Sequence, residues 1–69
     1  MKYLVLFEKT ETGYSAQVPD LPGCIAAGGS FDETVELMRT AIRMHLEGMR
    51  EDGEPIPEPQ TRAEYIVAA

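Results

Sequence analysis

The stretch Val18-Pro19-Asp20-Leu21-Pro22-Gly23-Cys24, followed at once by Ile25-Ala26-Ala27-Gly28, decides how this chain folds. Pro19 has no N–H to donate to a ladder, so a strand ending near Val18 must stop or become an edge. Leu21 precedes a proline and is pushed toward extended backbone. Pro22 and Gly23 suit the two central positions of a type II turn, in which glycine takes the positive φ. The segment therefore predicts a rigid connector between two strands, the second running from Cys24 to Ala27. Small side chains in that strand predict close approach of another element.

Working outward, Tyr14 to Val18 alternates cleanly, with Tyr14, Ala16 and Val18 on the inner face and Ser15 and Gln17 outside. Thr10-Glu11-Thr12-Gly13 reads as a hairpin loop in which glycine supplies an unusual backbone angle. Tyr3 to Lys9 is apolar on both alternations, Tyr3, Val5 and Phe7 against Leu4 and Leu6. That pattern belongs to a strand covered on both faces and places it centrally in a sheet. On the other side of the connector, Gly28-Gly29 ends a strand and Ser30-Phe31-Asp32-Glu33 is a capping box, with Ser30 and Glu33 each serving the other's backbone N–H. Phe31, Val35, Met38, Ile42, His45 and Met49 form an apolar stripe at helical spacing. Acidic residues at the start and Arg39, Arg43 and Arg50 beyond match the helix dipole. The helix is expected to reach about Asp52 and stop at Gly53. Gly53-Glu54-Pro55-Ile56-Pro57-Glu58-Pro59 is a stiff extended return, and Arg62 or Ala63 to Ala68 is expected to form a last strand.

The element order is β-β-β-α-β within one domain, residues 1–69. The predicted class is α+β: a three-stranded antiparallel meander, with a fourth strand parallel to strand one through a right-handed crossover. The expected strand order is 3-2-1-4, with one helix packed on one face. The other face is left for a partner or a second copy. A chain of 69 residues buries only about 60% of its unfolded surface. With one cysteine and no Cys/His cluster, neither a disulfide framework nor a structural zinc site supplements that core. Self-association, as a dimer or tetramer, is the expected stabiliser.

Twelve acidic against six basic residues give a net charge of −6. This balance disfavours the phosphate contacts that dominate nucleic-acid affinity. The amino terminus is too short in apolar residues for a signal peptide or membrane span, so a cytoplasmic protein with a reduced Cys24 is expected. A second helical stripe, Leu37, Ala41, Met44 and Gly48, lies on the shoulder of the first. It reads either as edge packing or as an oligomer interface, and Gly48 inside a helix is rationalised by close packing there. His45 has no companion for catalysis and is expected to be buried or half-buried and bonded to a loop carbonyl. Cys24 reads as a packed thiol. Glu8, Glu36, Glu47 and Glu64 are not expected to converge on a metal ion, since the polar side of the helix faces away from the sheet. No catalytic residue, metal or cofactor is assigned. Asp20 reads as an Asx-type turn cap or as a partner contact.

The run Gly13-Tyr14-Ser15-Ala16-Gln17-Val18-Pro19-Asp20-Leu21-Pro22-Gly23-Cys24, with Ala41-Ile42, Leu46-Glu47-Gly48 and the tail Asp52-Gly53-Glu54-Pro55-Ile56-Pro57-Glu58-Pro59, resembles the HicB family of type II antitoxins. The resemblance covers nearly the whole chain, although Gly29 and Thr34 stand where the family often has Asp and Ala. It implies a partial ribonuclease-H-like fold and a HicA-type partner, a small basic ribonuclease toxin that cleaves messenger RNA. Neutralisation would be by occlusion, with contacts sought at Pro19, Asp20, Leu21, Pro22 and Gly23 and on the open sheet face. The family commonly adds a carboxy-terminal DNA-binding module. The last predicted strand here runs nearly to the final residue, so direct operator binding is not expected. The alternative reading is a stand-alone oligomeric accessory or small-ligand-binding module that has lost toxin pairing.

Overall fold

The computed structural model describes residues 1–69. Three strands, β1 (Leu6–Lys9), β2 (Tyr14–Gln17) and β3 (Ile25–Gly28), are followed by one helix, α1 (Phe31–Glu51). The strands form an antiparallel meander in the order β1-β2-β3. Phe7 lies opposite Ala16 and Ala16 opposite Ala26, while Leu6, Gln17 and Ile25 form the neighbouring row. Because side chains alternate along a strand, these rows face opposite sides of the sheet. The first carries the core, and the second faces outward.

The class is α+β, as expected, but two expectations about the sheet are corrected. The ladder of β1 begins at Leu6 rather than Tyr3. The Val18 N–H still reaches the Cys24 carbonyl (3.1 Å) on the β3 side, and beyond Val18 the chain enters the connector, where the Leu21 N–H donates to the Val18 carbonyl (3.1 Å), so residues before Leu6 run past the end of β2. The predicted fourth strand is also absent. Residues 62–69 form no strand and make no backbone–backbone hydrogen bond. Without it the order 3-2-1-4 and the ribonuclease-H-like arrangement are not formed within the chain, and β1 lies at an edge instead of the centre.

The helix is bounded as its sequence predicts. Ser30 is the N-cap in extended geometry, and its Oγ accepts from the Glu33 N–H (3.1 Å). Glu33 reaches back one residue further than expected, accepting from the Gly29 N–H (3.2 Å) instead of Ser30. At the other end Gly53, with φ +71°, donates to the Arg50 carbonyl (3.1 Å), and Glu54 donates to Met49 (2.8 Å). This is a Schellman closure, which satisfies carbonyls that the helix itself leaves open.

The fully buried core is small: Ala16, Val18, Leu21, Cys24 and Met38, with Tyr3, Val5, Phe7, Ile42, Leu46 and Met49 packed around it. Thr34, outside the predicted stripe, is fully buried as well. Its Oγ1 donates to the Ser30 carbonyl (2.7 Å), so burial leaves no polar atom unpaired. Thr34 presses on Gly28, where a Cβ would lie 2.7 Å from Thr34 Oγ1. This is the close approach predicted from the small residues of β3. Phe31, by contrast, is exposed on one side, although its ring meets Phe7 (4.7 Å) and Tyr14 (5.6 Å) at the hairpin end of the sheet. Gly13 serves space, not φ. Only Gly23 and Gly53 have positive φ, whereas a Cβ at Gly13 would meet the Gly28 carbonyl oxygen at 2.0 Å.

Candidate protein-binding surface

The connector consists of two successive turns. Leu21 N–H donates to the Val18 carbonyl (3.1 Å), and Cys24 N–H donates to the Leu21 carbonyl (3.0 Å). In the second turn Gly23 has φ +86°, as a type II turn over Pro22-Gly23 requires. Leu21, shared by both turns, is driven into the core and has no accessible surface. Of the five connector residues considered for partner contact, Pro22 and Gly23 are exposed, Pro19 and Asp20 are half-buried, and Leu21 is a core residue that an intact fold cannot present.

Asp20 has a role that local sequence does not reveal. Its Oδ2 accepts from the backbone N–H groups of Gln60 (2.9 Å) and Thr61 (3.0 Å), and its Oδ1 accepts from the Thr61 hydroxyl (2.7 Å). Asp20 is therefore a clasp on the proline tail, not an Asx cap. The tail is held a second time where the Tyr3 hydroxyl donates to the Pro57 carbonyl. The Thr61 N–H, the Thr61 hydroxyl and the Gln60 N–H all favour the charged carboxylate. They hold Asp20 below the usual carboxylate range despite some opposing desolvation.

The sheet face turned away from α1 is uncovered. Leu6, Ile25 and Ala27 line a shallow depression of about 670 Å³ together with Glu8, Ser15 and Gln17. Ile25 is 70% exposed and Leu6 40%. Large aliphatic side chains on such a face, bordered by polar groups, are the composition of a surface that another molecule covers. The alternation of β3 makes Ile25 legible as outward once Ala26 is known to face the helix.

On the helix shoulder, Leu37 and Met44 are exposed, while Ala41 and Gly48 are half-buried. Leu37 reaches toward Gly28, with its Cδ1 3.2 Å from where a Cβ would stand there. Nothing lies within 4 Å of a Cβ built on Gly48, so no neighbour within the chain explains that glycine.

The remaining reactive side chains form no chemical centre. Cys24 is buried, and desolvation pushes its thiol upward, so it stays protonated. His45 is half-buried but makes no hydrogen bond to the protein, contrary to the expected loop contact. Glu36 pairs with Arg39 (3.2 Å) and Glu47 approaches Arg43 (4.0 Å), each on the solvent side of α1. No group of three or more His, Cys, Asp or Glu side chains is placed to hold a metal ion. No helix is long and apolar enough to cross a membrane.

Comparison with known proteins agrees with this geometry. Residues 3–69 match the family model described as HicB_like antitoxin of bacterial toxin-antitoxin system. A Haemophilus phage HP1 protein from the rep-hol intergenic region is 41% identical over 66 residues, covering 96% of this chain and 50% of its own length. Antitoxin HicB 2 of Photorhabdus laumondii is 33% identical over 67 residues, 97% of this chain and 48% of that protein. A UPF0150 protein of Archaeoglobus fulgidus is 44% identical over 57 residues, 78% of this chain and 83% of its own. The chain thus spans about half the length of the phage and Photorhabdus relatives and most of the archaeal one. Among solved structures, a chain of a HicA3 and HicB3 toxin-antitoxin complex superposes with a TM-score of 0.74 at 30% identity, over 87% of this chain and 70% of that one. With its connector, capped helix and proline tail all within the matched region, this chain belongs to the HicB-like antitoxin family of bacterial toxin-antitoxin systems.

Proposed function

We propose that this protein binds a HicA-type, mRNA-cleaving toxin and neutralises it by covering the surface through which the toxin engages RNA. The observation that carries this reading is the uncovered sheet face, on which Leu6 and Ile25 stand exposed among Ser15, Gln17 and Glu8. Family membership and the likeness to a chain of a toxin-antitoxin complex support it. The chemistry fits a basic partner. A net charge of −6 attracts a cationic ribonuclease over long range and accelerates encounter. Apolar burial at Ile25 and Leu6 then holds the complex. The rigid turn at Pro22-Gly23 adds a contact that needs little ordering on binding. The protein itself contributes no catalysis in this scheme, because steric exclusion of RNA suffices.

The test is co-expression with the product of the adjacent reading frame. Rescue from growth arrest and co-purification of a stable complex are expected. Ile25→Glu should abolish both while the variant remains folded. Undiminished rescue by Ile25→Glu moves the contact off the open face, and failure of the unmodified protein to rescue removes the antitoxin reading.

A further inference from the structure

We propose, building on the antitoxin reading, that the cationic partner docks by adding an extended segment of its own backbone to the free edge of β3. The phase of the ladder leads there. The Val18 N–H donates to the Cys24 carbonyl (3.1 Å), so that carbonyl points toward β2. Along an antiparallel strand each residue turns its N–H and C=O to one side, and the sides alternate. Ala26, opposite Ala16, and Gly28, opposite Tyr14, therefore bond to β2. Ile25 and Ala27 turn both groups outward. β3 ends the sheet on that side, and neither residue takes part in the backbone bonds made outside the helix and strands. Their N–H and carbonyl groups thus stand free, on residues that are themselves exposed.

An edge of this kind is a template for another strand, and proteins ordinarily blunt it with lysine, proline or a bulge. β1, at the opposite edge, carries Glu8 and Lys9 in its ladder. Ile25-Ala26-Ala27-Gly28 has no charge and no proline, and its register with β2 runs without a bulge. Shortness is its only protection, and that limits an added strand to a few residues.

The side chains make this edge and the open face one surface. Ile25 and Ala27, whose backbone groups point outward, also line the depression beside Leu6 on the open face. A strand laid about 4.8 Å from β3 sets every second side chain on that same face, against Ile25. The body that carries the strand then lies over Ile25 and Leu6. The segment that fits is short and extended, apolar at alternate positions, and belongs to a protein of positive charge. A second copy fits poorly. Two β3 edges paired together would set their open faces side by side, doubling the exposed Leu6 and Ile25 instead of covering them. They would also bring together two chains of net charge −6.

The experiment is amide hydrogen exchange by NMR on the full chain, alone and with the product of the adjacent reading frame. Alone, the Ile25 and Ala27 amides should exchange fast, while β2 protects those of Ala26 and Gly28. In the complex the Ile25 and Ala27 amides should slow by more than about tenfold. Ala27→Pro removes an N–H that β2 does not use, so the circular dichroism of α1 should persist. Affinity for the partner should fall by about tenfold or more, the size of one or two such bonds. Should that variant lose its helix, the exchange measurement decides alone. Ala27→Ser keeps the N–H and should bind as the unmodified chain does. A complex in which Ile25 and Ala27 still exchange fast overturns the proposal. So does an equal loss of affinity in Ala27→Ser and Ala27→Pro, which puts the contact on the side chain. Slow exchange of both amides without the partner, at twice the chain mass by light scattering, gives the edge to a second copy and overturns it too. Failure of the unmodified chain to capture the partner removes the antitoxin reading with it, whereas capture without edge protection removes the strand addition alone.

Discussion

The two faces of the small sheet differ more than any other two regions of the molecule. On the covered face, Ala16, Val18, Leu21 and Cys24 lie against Met38 with almost no exposure. On the open face, Leu6 and Ile25 have no neighbour above them. The same strands build both faces, since alternation sends adjacent residues to opposite sides. The covered face is a core that holds the chain together, and the open face is apolar surface that nothing within the chain covers. Stability and partner affinity should therefore respond to different residues, although those residues are neighbours in sequence.

The largest effect is expected from breaking the covered face at its fully buried anchor. Leu21→Ala leaves a cavity beneath both turns and should destabilise the fold by about 2–5 kcal/mol, measured by urea unfolding. A result near zero would mean that the connector, not its buried side chain, organises this face. Gly13→Ala places a methyl group against the Gly28 carbonyl, a backbone atom that cannot yield cheaply, and should cost about 1–3 kcal/mol. Ser30→Ala removes the acceptor for the Glu33 N–H and should cost about 1 kcal/mol in the same assay.

Asp20 probes the clasp between connector and tail. Its hydrogen bonds lower the folded-state pKa relative to the unfolded chain. The associated stability is therefore present above the ordinary aspartate range and disappears as pH falls through the lowered folded value. The amide resonances of Gln60 and Thr61 should titrate together in that acidic window. In Asp20→Asn this titration should vanish, and trypsin should cut after Arg62 faster at neutral pH. Unchanged cleavage would show that the Tyr3–Pro57 contact alone holds the tail. The smallest expected change in stability comes from the open face. Ile25→Glu should alter unfolding by no more than about 0.5 kcal/mol, yet eliminate toxin capture. A large loss of stability at Ile25 would erase the distinction between the faces.

Much of this was legible from residue order. Pro19, Pro22 and Gly23 specify the double turn through φ restrictions alone, and Ser30 and Gly53 bracket α1 because capping chemistry is local. Thr34 was harder. Threonine is commonly exposed, and its burial here depends on the Ser30 carbonyl accepting its hydroxyl, a contact that residue type alone does not announce. Thr34 does sit four residues before Met38, on the same helical face, and that spacing was the available signal. The clasp gave no signal of its own, because Asp20 and Thr61 are 41 residues apart and nothing in either segment names the other. Of the candidate surface, the connector was read from its motif. Leu21 within it proved to be core, because only packing tells which way a turn residue points.

By itself the sequence determined the local devices: where strands must end, where the helix begins and stops, and which residues alternate to either side. These follow from backbone sterics, capping and periodicity, all acting over a few residues. The tertiary structure decided which apolar residues find partners. It put β1 at an edge although its composition suits a centre, tied the tail to Asp20, and left Tyr65, Ile66 and Val67 without a ladder. A strand requires a neighbour to receive its hydrogen bonds. Strand propensity can be read along one chain, but the neighbour is set by what the rest of the fold brings alongside.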